Sequence, residues 1–403
     1  MSAIPVSSAV QPHRSVLRSL APLLAVVFIG FLVVGLALPV LPLHVHQTLG
    51  QGTFMVGLVT GSQFAAALAT RMWAGSFADT RGPKRAVVVG LFAALAGGVL
   101  YMLSLGLLRS PSQSVAVLLL GRTVLGAGES FIITGALGWG LALAGAQNTG
   151  KVMAWMGTAM YAAFAAGAPA GTALHSRFGF SAIAAISVFL PAVALLGVSA
   201  LRPVLPTARV RPSFLKVLRA VWVPGFALAL SSIGFGAITA FIALLFAQNG
   251  WTPGWPAFTA FAVCFMLARI VLGGFVDRWG PLRIASVSLL IEATGQLLIW
   301  AAPTPVVSVL GAALTGLGYS LVYPALGVLA VRRAPPESRA LAMGAYTACL
   351  DLALGVGTPA LGLFASHSGL ANIFVVSAAV VASALAVVSR MGRRETSSMP
   401  RAT

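Results

Sequence analysis

The sequence predicts an all-α integral membrane protein in which twelve transmembrane helices form two related bundles of six. Composition is the first of three observations behind this. Hydrophobic residues fill 59% of the 403 positions and charged residues only 8%, at a mean hydropathy of +0.97. So few charges cannot cover a soluble domain of this length. Secondly, the apolar sequence resolves into runs of about 20 residues, the length with which a helix crosses a ~30 Å hydrocarbon core. Thirdly, a sixteen-residue stretch occurs twice, 198 residues apart: Thr70–Arg85 reads TRMWAGSFADTRGPKR and Ala268–Arg283 reads ARIVLGGFVDRWGPLR. That period is far beyond solenoid or propeller repeats and marks two related halves.

Span 1 (19–42) follows Arg14 and Arg18, and the residues before it lack the apolar core of a cleavable signal peptide. Span 2 (54–77) runs into the first copy of the repeat and span 3 (84–107) leaves it. Span 4 is placed at 114–138, inside apolar sequence that continues from Val115 to Ala146. Spans 5 (151–174) and 6 (179–201) complete an N-terminal half, residues 1–201. A Pro- and Arg-rich linker at 202–220 leads into a second half, 221–403. Its spans are 221–246, 255–276, 283–302, 306–331, 340–366 and 370–390, with the second repeat copy between the second and third of these. The short alternating segments of barrel strands are missing from this pattern. Cys264 and Cys349 fall within spans of the second half and offer no disulfide framework.

A net charge of +18 would suit nucleic acid, but its placement points elsewhere. With the N-terminus inside, 20 of the 25 Lys and Arg fall in the loops and tails of one side, and only Arg109 and Arg177 on the other. This bias predicts that both termini are cytoplasmic, and in a bacterium that the membrane is the inner one. The charges then set topology and meet anionic headgroups, and no nucleic-acid partner is expected.

Gly75-Ser-Phe-Ala-Asp79-Thr-Arg81-Gly82-Pro-Lys84-Arg85 resembles the signature between helices 2 and 3 of the major facilitator superfamily. The second copy keeps Gly273, Asp277, Gly280 and Arg283. The likeness, closest to bacterial efflux members, implies two six-helix bundles with helices 1, 4, 7 and 10 lining a central cavity. Helices 2, 5, 8 and 11 would flank the bundle interface. It also assigns the motif to a cytoplasmic gate, with helix 11 the neighbour of Asp79. Physically, Gly75 and Gly273 lack Cβ and admit close helix approach, and an acid at a helix end can cap a facing helix N-terminus. Pro83 stands where the family often has Arg, and span 4 ends near Gln147-Asn148 without an acid. A full charge relay is therefore not expected, and anchoring of topology is the alternative role for Arg81, Lys84 and Arg85. Arg122-Thr-Val-Leu-Gly126-Ala-Gly128-Glu129 resembles the family's Arg-containing helix-4 motif of proton coupling, with Leu125 at its usual Gln. Gly157 and Gly167-Ala-Pro169-Ala-Gly171 resemble the glycine–proline motif of antiporters, interrupted by Ala168.

Ionisable groups inside spans are expensive and are the first functional candidates. Here they are Arg71, Arg122, Glu129, Arg269, Glu292 and Asp351. Arg269 and Glu292 lie at similar depth, ~12 and ~13 Å from the same side on sequential helices, which predicts a structural ion pair. The counterpart of Glu292 in the first half is Ala94, so Arg71 is expected to pair instead with Asp351 across the two bundles. Glu129 lies two turns past Arg122 on one helix face. A carboxyl in an apolar cavity favours its neutral form and a nearby guanidinium favours the ion, a competition suited to proton exchange. Glu129, Arg122 and Asp351 are therefore the proton-coupling candidates.

Arg71, Glu129, Tyr161, Tyr319 and Tyr323 are the candidates for lining the substrate cavity, the tyrosines as stacking or hydrogen-bonding groups. The histidines do not converge in the sequence, so no metal site is expected, and no phosphate-binding loop points to ATP or any other cofactor. No catalytic constellation suggests an enzyme. The expected function is proton-coupled export of a small organic solute by a monomer in a lipid bilayer. A proton-coupled importer and an uncoupled facilitator remain the alternatives.

Overall fold

The computed structural model describes residues 13–145, 148–204, 214–334 and 339–397. Long helices dominate them: α1 His13–Ala37, α2 Thr53–Arg81, α3 Pro83–Leu105, α4 Pro111–Ala144, α5 Thr149–Phe178 and α6 Phe180–Ser199 in the first half. The second half holds α7 Phe214–Gln248, α8 Trp255–Leu272, α9 Pro281–Trp300, α10 Pro305–Arg333, α11 Arg339–Ser368 and α12 Asn372–Ser397. Among the described residues, eleven helical segments are long and apolar enough to cross a membrane; α5, which carries Lys151 and the polar run at its end, falls outside that set. Part of the expected linker, 205–213, lies outside the described residues.

Local sequence sets the boundaries. Gly82 has φ 96° and Gly280 φ 83°, backbone that a side chain would strain, so each stops one helix. The proline that follows, Pro83 or Pro281, opens the next helix, where its missing N–H costs nothing. The two repeat copies thus encode the same turn. They differ just before it. Helix α2 is continuous through Gly75-Ser76, whereas α8 stops at Leu272, passes a turn at Gly273-Gly274 and resumes as a short helix, Phe275–Trp279.

Helices α1–α6 pack on one another and α7–α12 do likewise, with α2 against α11 and α5 against α8 joining the two groups. Small residues make the approach close. A Cβ on Gly167 or Gly171 of α5 would fall 2.6 Å or 2.1 Å from the α1 backbone at Gly35 and Leu36. The glycine–proline motif therefore serves packing. The outside is apolar, with Leu196 74%, Val271 69% and Trp73 63% exposed, a surface matched to lipid.

Candidate proton site and substrate pathway

Glu129 is placed by a glycine. One helical turn before it, Gly126 of α4 lies so close to α2 that a Cβ would be 2.0 Å from the Gln63 carbonyl oxygen. At this spacing the Gln63 side-chain amide donates to the Glu129 carboxylate at 2.5 Å. Gln63 is fully buried, while Glu129 is half-buried. Arg122, two turns away, takes a different direction. It is completely buried in the first bundle, and its guanidinium donates to the Tyr101 hydroxyl of α3 at 3.4 Å. Its other guanidinium nitrogens have no hydrogen-bond partner. Helical register alone put the two groups on one face, but the long arginine side chain reaches sideways to α3.

The expected pair between Arg71 and Asp351 is present: the Arg71 guanidinium donates to the Asp351 carboxylate, joining α2 to α11. The same helices are held together toward their far ends by small residues spaced along both. Thr358 donates to the Gly57 carbonyl at 3.2 Å, and Thr53 donates to the Gly362 carbonyl at 2.7 Å. A Cβ on Gly61 would meet Thr358, and one on Gly355 would meet Ala65. Helix α2 thus meets both acids, holding Glu129 of α4 through Gln63 and Asp351 of α11 through Arg71.

The Arg269–Glu292 pair is not formed. The ion pair that does form inside the spans joins Arg71 to Asp351, and it takes in neither Arg269 nor Glu292. Glu292 is fully buried inside the second bundle and accepts a hydrogen bond from Ser231 of α7 at 2.5 Å. Gly234 of α7 leaves room for it, since a Cβ there would be 2.6 Å from the carboxylate. Arg269 instead lies over two rings, with its Cζ 5.6 Å from the centre of Tyr323 and 5.9 Å from that of Phe265. Equal depth in the membrane does not fix which side of a helix a residue occupies: Glu292 turns into the bundle and Arg269 toward the bundle interface.

The tyrosines divide similarly. Tyr161 of α5 stacks on Phe265 of α8, ring centres 3.6 Å apart, and so bridges the two bundles. Tyr319 is buried, stacked on Phe235 and within 3.2 Å of the Ser232 hydroxyl, which makes it part of the second bundle's packing. Tyr323 shares a hydrogen bond with Thr347 of α11 at 2.9 Å, and Tyr346 donates to its carbonyl.

In the gating motif, Lys84 has a contact that spacing did not disclose. Its ammonium donates to the carbonyls of Ser199 and Leu201 at 2.9 and 2.5 Å, neutralising the C-terminal end of α6. Arg81 and Arg85 are exposed, while Arg283 lies over the ring of Trp279 at 5.9 Å. The close approach expected at Gly273 does not occur, for a Cβ there would meet only the Arg269 carbonyl of its own chain. The helix break explains this, because Gly273 is spent on a turn. Asp79 and Asp277 stand near the ends of their helical segments, on the side rich in Lys and Arg.

Signals for some of these contacts were in the sequence. Gly57 and Gly61 form a small-xxx-small pattern in an apolar helix, an association motif that points to α11 packing. Gln63 has no comparable signal, since a lone glutamine in an apolar run specifies no partner.

A buried, interlocked pair of helical bundles with charge at its interface defines a membrane transporter. The chain belongs to the major facilitator superfamily: the family model described as Major Facilitator Superfamily matches residues 23–257 and again 225–402. An uncharacterised MFS-type transporter of Salmonella typhimurium is 42% identical over 92% of this chain and 95% of its own length. One from Pseudomonas aeruginosa is 41% identical over 91% of each chain. Among solved structures, an inward-facing bacterial homologue of the human lysosomal transporter Spinster superposes with a TM-score of 0.71 at 14% identity, covering 98% of this chain and all (100%) of that one. The human organic anion transporter MFSD10 gives 0.70 at 16% identity, covering 94% and 100%. These distant structures establish the fold.

Proposed function

We propose that this chain is a monomeric, proton-coupled exporter of a small organic solute in the cell inner membrane, working by alternating access. Glu129 is the proton carrier. One observation carries this reading: the half-buried Glu129 carboxylate accepts a hydrogen bond from Gln63 of α2, about two turns before Arg71, whose ion pair with Asp351 ties the two bundles together. An ionised Glu129 competes with Asp351 for the field of Arg71. A proton on Glu129 removes that competition, so the protonation state biases how firmly α2 holds α11. A ligand or proton shifts a two-state equilibrium only through such a difference between states.

The side carrying Arg81, Lys84, Arg85, Arg278, Arg283, Arg332 and Arg333 is assigned to the cytoplasm by its charge. Gly75, Asp79, Gly82, Gly273, Asp277 and Gly280 then belong to the cytoplasmic gate. The small-residue contacts of α2 and α11 close the opposite end. Inverted membrane vesicles test the proposal: an imposed acidic lumen should drive solute uptake, and collapse of the gradient should stop it. Accumulation only in right-side-out vesicles would establish import, and gradient-independent equilibration would establish a facilitator.

A further inference from the structure

We propose that Arg269 anchors the carboxylate of an organic anion, in a site shared between the bundles by Tyr161, Phe265 and Tyr323. This rests on the small-molecule transport reading above and names its substrate class. The argument begins with a broken symmetry. Arg71 and Arg269 occupy equivalent positions of the internal repeat. Arg71 on α2 faces α11 and finds Asp351 there. Across the bundle interface α8 packs on α5, and Thr149–Phe178 contains no acidic residue. At that contact stands Tyr161, stacked on Phe265.

Arg269 therefore lacks a carboxylate among the described residues, and the acid predicted for it, Glu292, is bonded to Ser231 within the bundle. Its compensation comes from the ring faces of Tyr323 and Phe265, and ring faces offset only part of the cost of a charge held inside a membrane. Arg122 is also without an acid in contact, but it is wholly enclosed in the first bundle and bonded to Tyr101. Arg269 is only half-buried and lies at the interface that alternating access opens. Phe265 joins the two sides, since Tyr161 stacks on it and Arg269 lies 5.9 Å from its ring centre.

The occupant follows from these groups. A guanidinium offers a planar fork that fits a carboxylate through two parallel hydrogen bonds. The Tyr161–Phe265 stack offers an apolar face for the body of the ligand, and the Tyr323 hydroxyl, now shared with Thr347, offers a further polar contact. A monocarboxylate with an aromatic or other apolar body matches all of them. The bound anion would supply for Arg269 what Asp351 supplies for Arg71.

The test is equilibrium binding to the purified full-length protein in lipid nanodiscs, followed by intrinsic fluorescence or calorimetry. The probes are benzoate, phenylacetate and phenylbutyrate, each beside its neutral primary amide. No proton gradient is needed, so the outcome is independent of Glu129 and of transport direction. At least one acid should bind tenfold or more tightly than its amide. Arg269→Gln should weaken that acid at least tenfold, and Arg269→Lys, which keeps charge but loses the fork, several-fold. Arg109→Gln, removing a charge from an exposed loop, should change nothing. Should Arg269→Gln fail to fold, Tyr161→Ala should still weaken binding with the charge intact. Amides binding as tightly as acids, no acid binding up to about 10 mM, or Arg269→Gln binding within twofold of the parent would overturn the proposal.

Discussion

Consider replacing Asp351 by Asn. The side chains of Arg71 and Asp351 are 22% and 6% exposed, so the substitution leaves a guanidinium largely removed from water without its counter-ion. Removing one partner of a fully buried pair costs about 3–5 kcal/mol, because the remaining charge is uncompensated. Arg71 is the more exposed partner and can extend its head toward the polar interface, which lowers the cost to roughly 2–3 kcal/mol. Arg71→Gln should cost a similar amount through the stranded carboxylate. The double variant strands nothing and should lose only about 1 kcal/mol, giving a coupling of roughly 3–5 kcal/mol. Thermal unfolding of the four proteins in one detergent, read by intrinsic fluorescence, provides the cycle. Each single variant should melt several degrees below the parent and the double variant between them and the parent. The reversed pair, Asp at 71 and Arg at 351, should recover part of the loss. Strictly additive losses, or no recovery on reversal, would refute the interbundle bridge.

Three further outcomes follow from the same packing. Gly126→Ala should destabilise by about 3 kcal/mol or prevent insertion, because its Cβ would strike the Gln63 backbone and push α4 from α2; folded protein yield and melting temperature check this. Lys84→Leu, which installs the residue of the second repeat copy, should lower stability by about 1 kcal/mol through loss of the α6 carbonyl contacts, with the shift in melting temperature as readout. Asp79→Asn should reduce transport more than Asp277→Asn in correctly inserted protein, since α2 is continuous into its turn while α8 is broken before it; equal, unimpaired rates would remove the gating role.

The residues that were legible in the sequence are those whose partner is set by topology. Arg71 required a counter-ion, its repeat equivalent of Glu292 is Ala94, and adjoining helices left Asp351. The Gly-Pro turns were legible because only glycine suits their positive φ and only proline starts the next helix without loss. What failed was rotation about a helix axis. Depth is linear in sequence number, so the sequence could assign Arg269 and Glu292 to one level, but which neighbour each faces depends on small residues elsewhere, such as Gly234 opposite Glu292. The same limit applies to Arg122, whose side chain is long enough to reach Tyr101 from the face it shares with Glu129. Lys84 was visible as a charge but not as a cap, because the carbonyls it meets lie more than a hundred residues away, |i−j| of 115 and 117.

The account turns on Glu129 as the proton carrier. The direct measurement is solute accumulation in inverted vesicles under an imposed acidic lumen, comparing the parent with Glu129→Gln. Glutamine preserves size and the contact with Gln63 but cannot exchange a proton, so gradient-driven accumulation should vanish while exchange of solute for solute persists. A Glu129→Gln protein that still concentrates solute from a proton gradient would contradict the account.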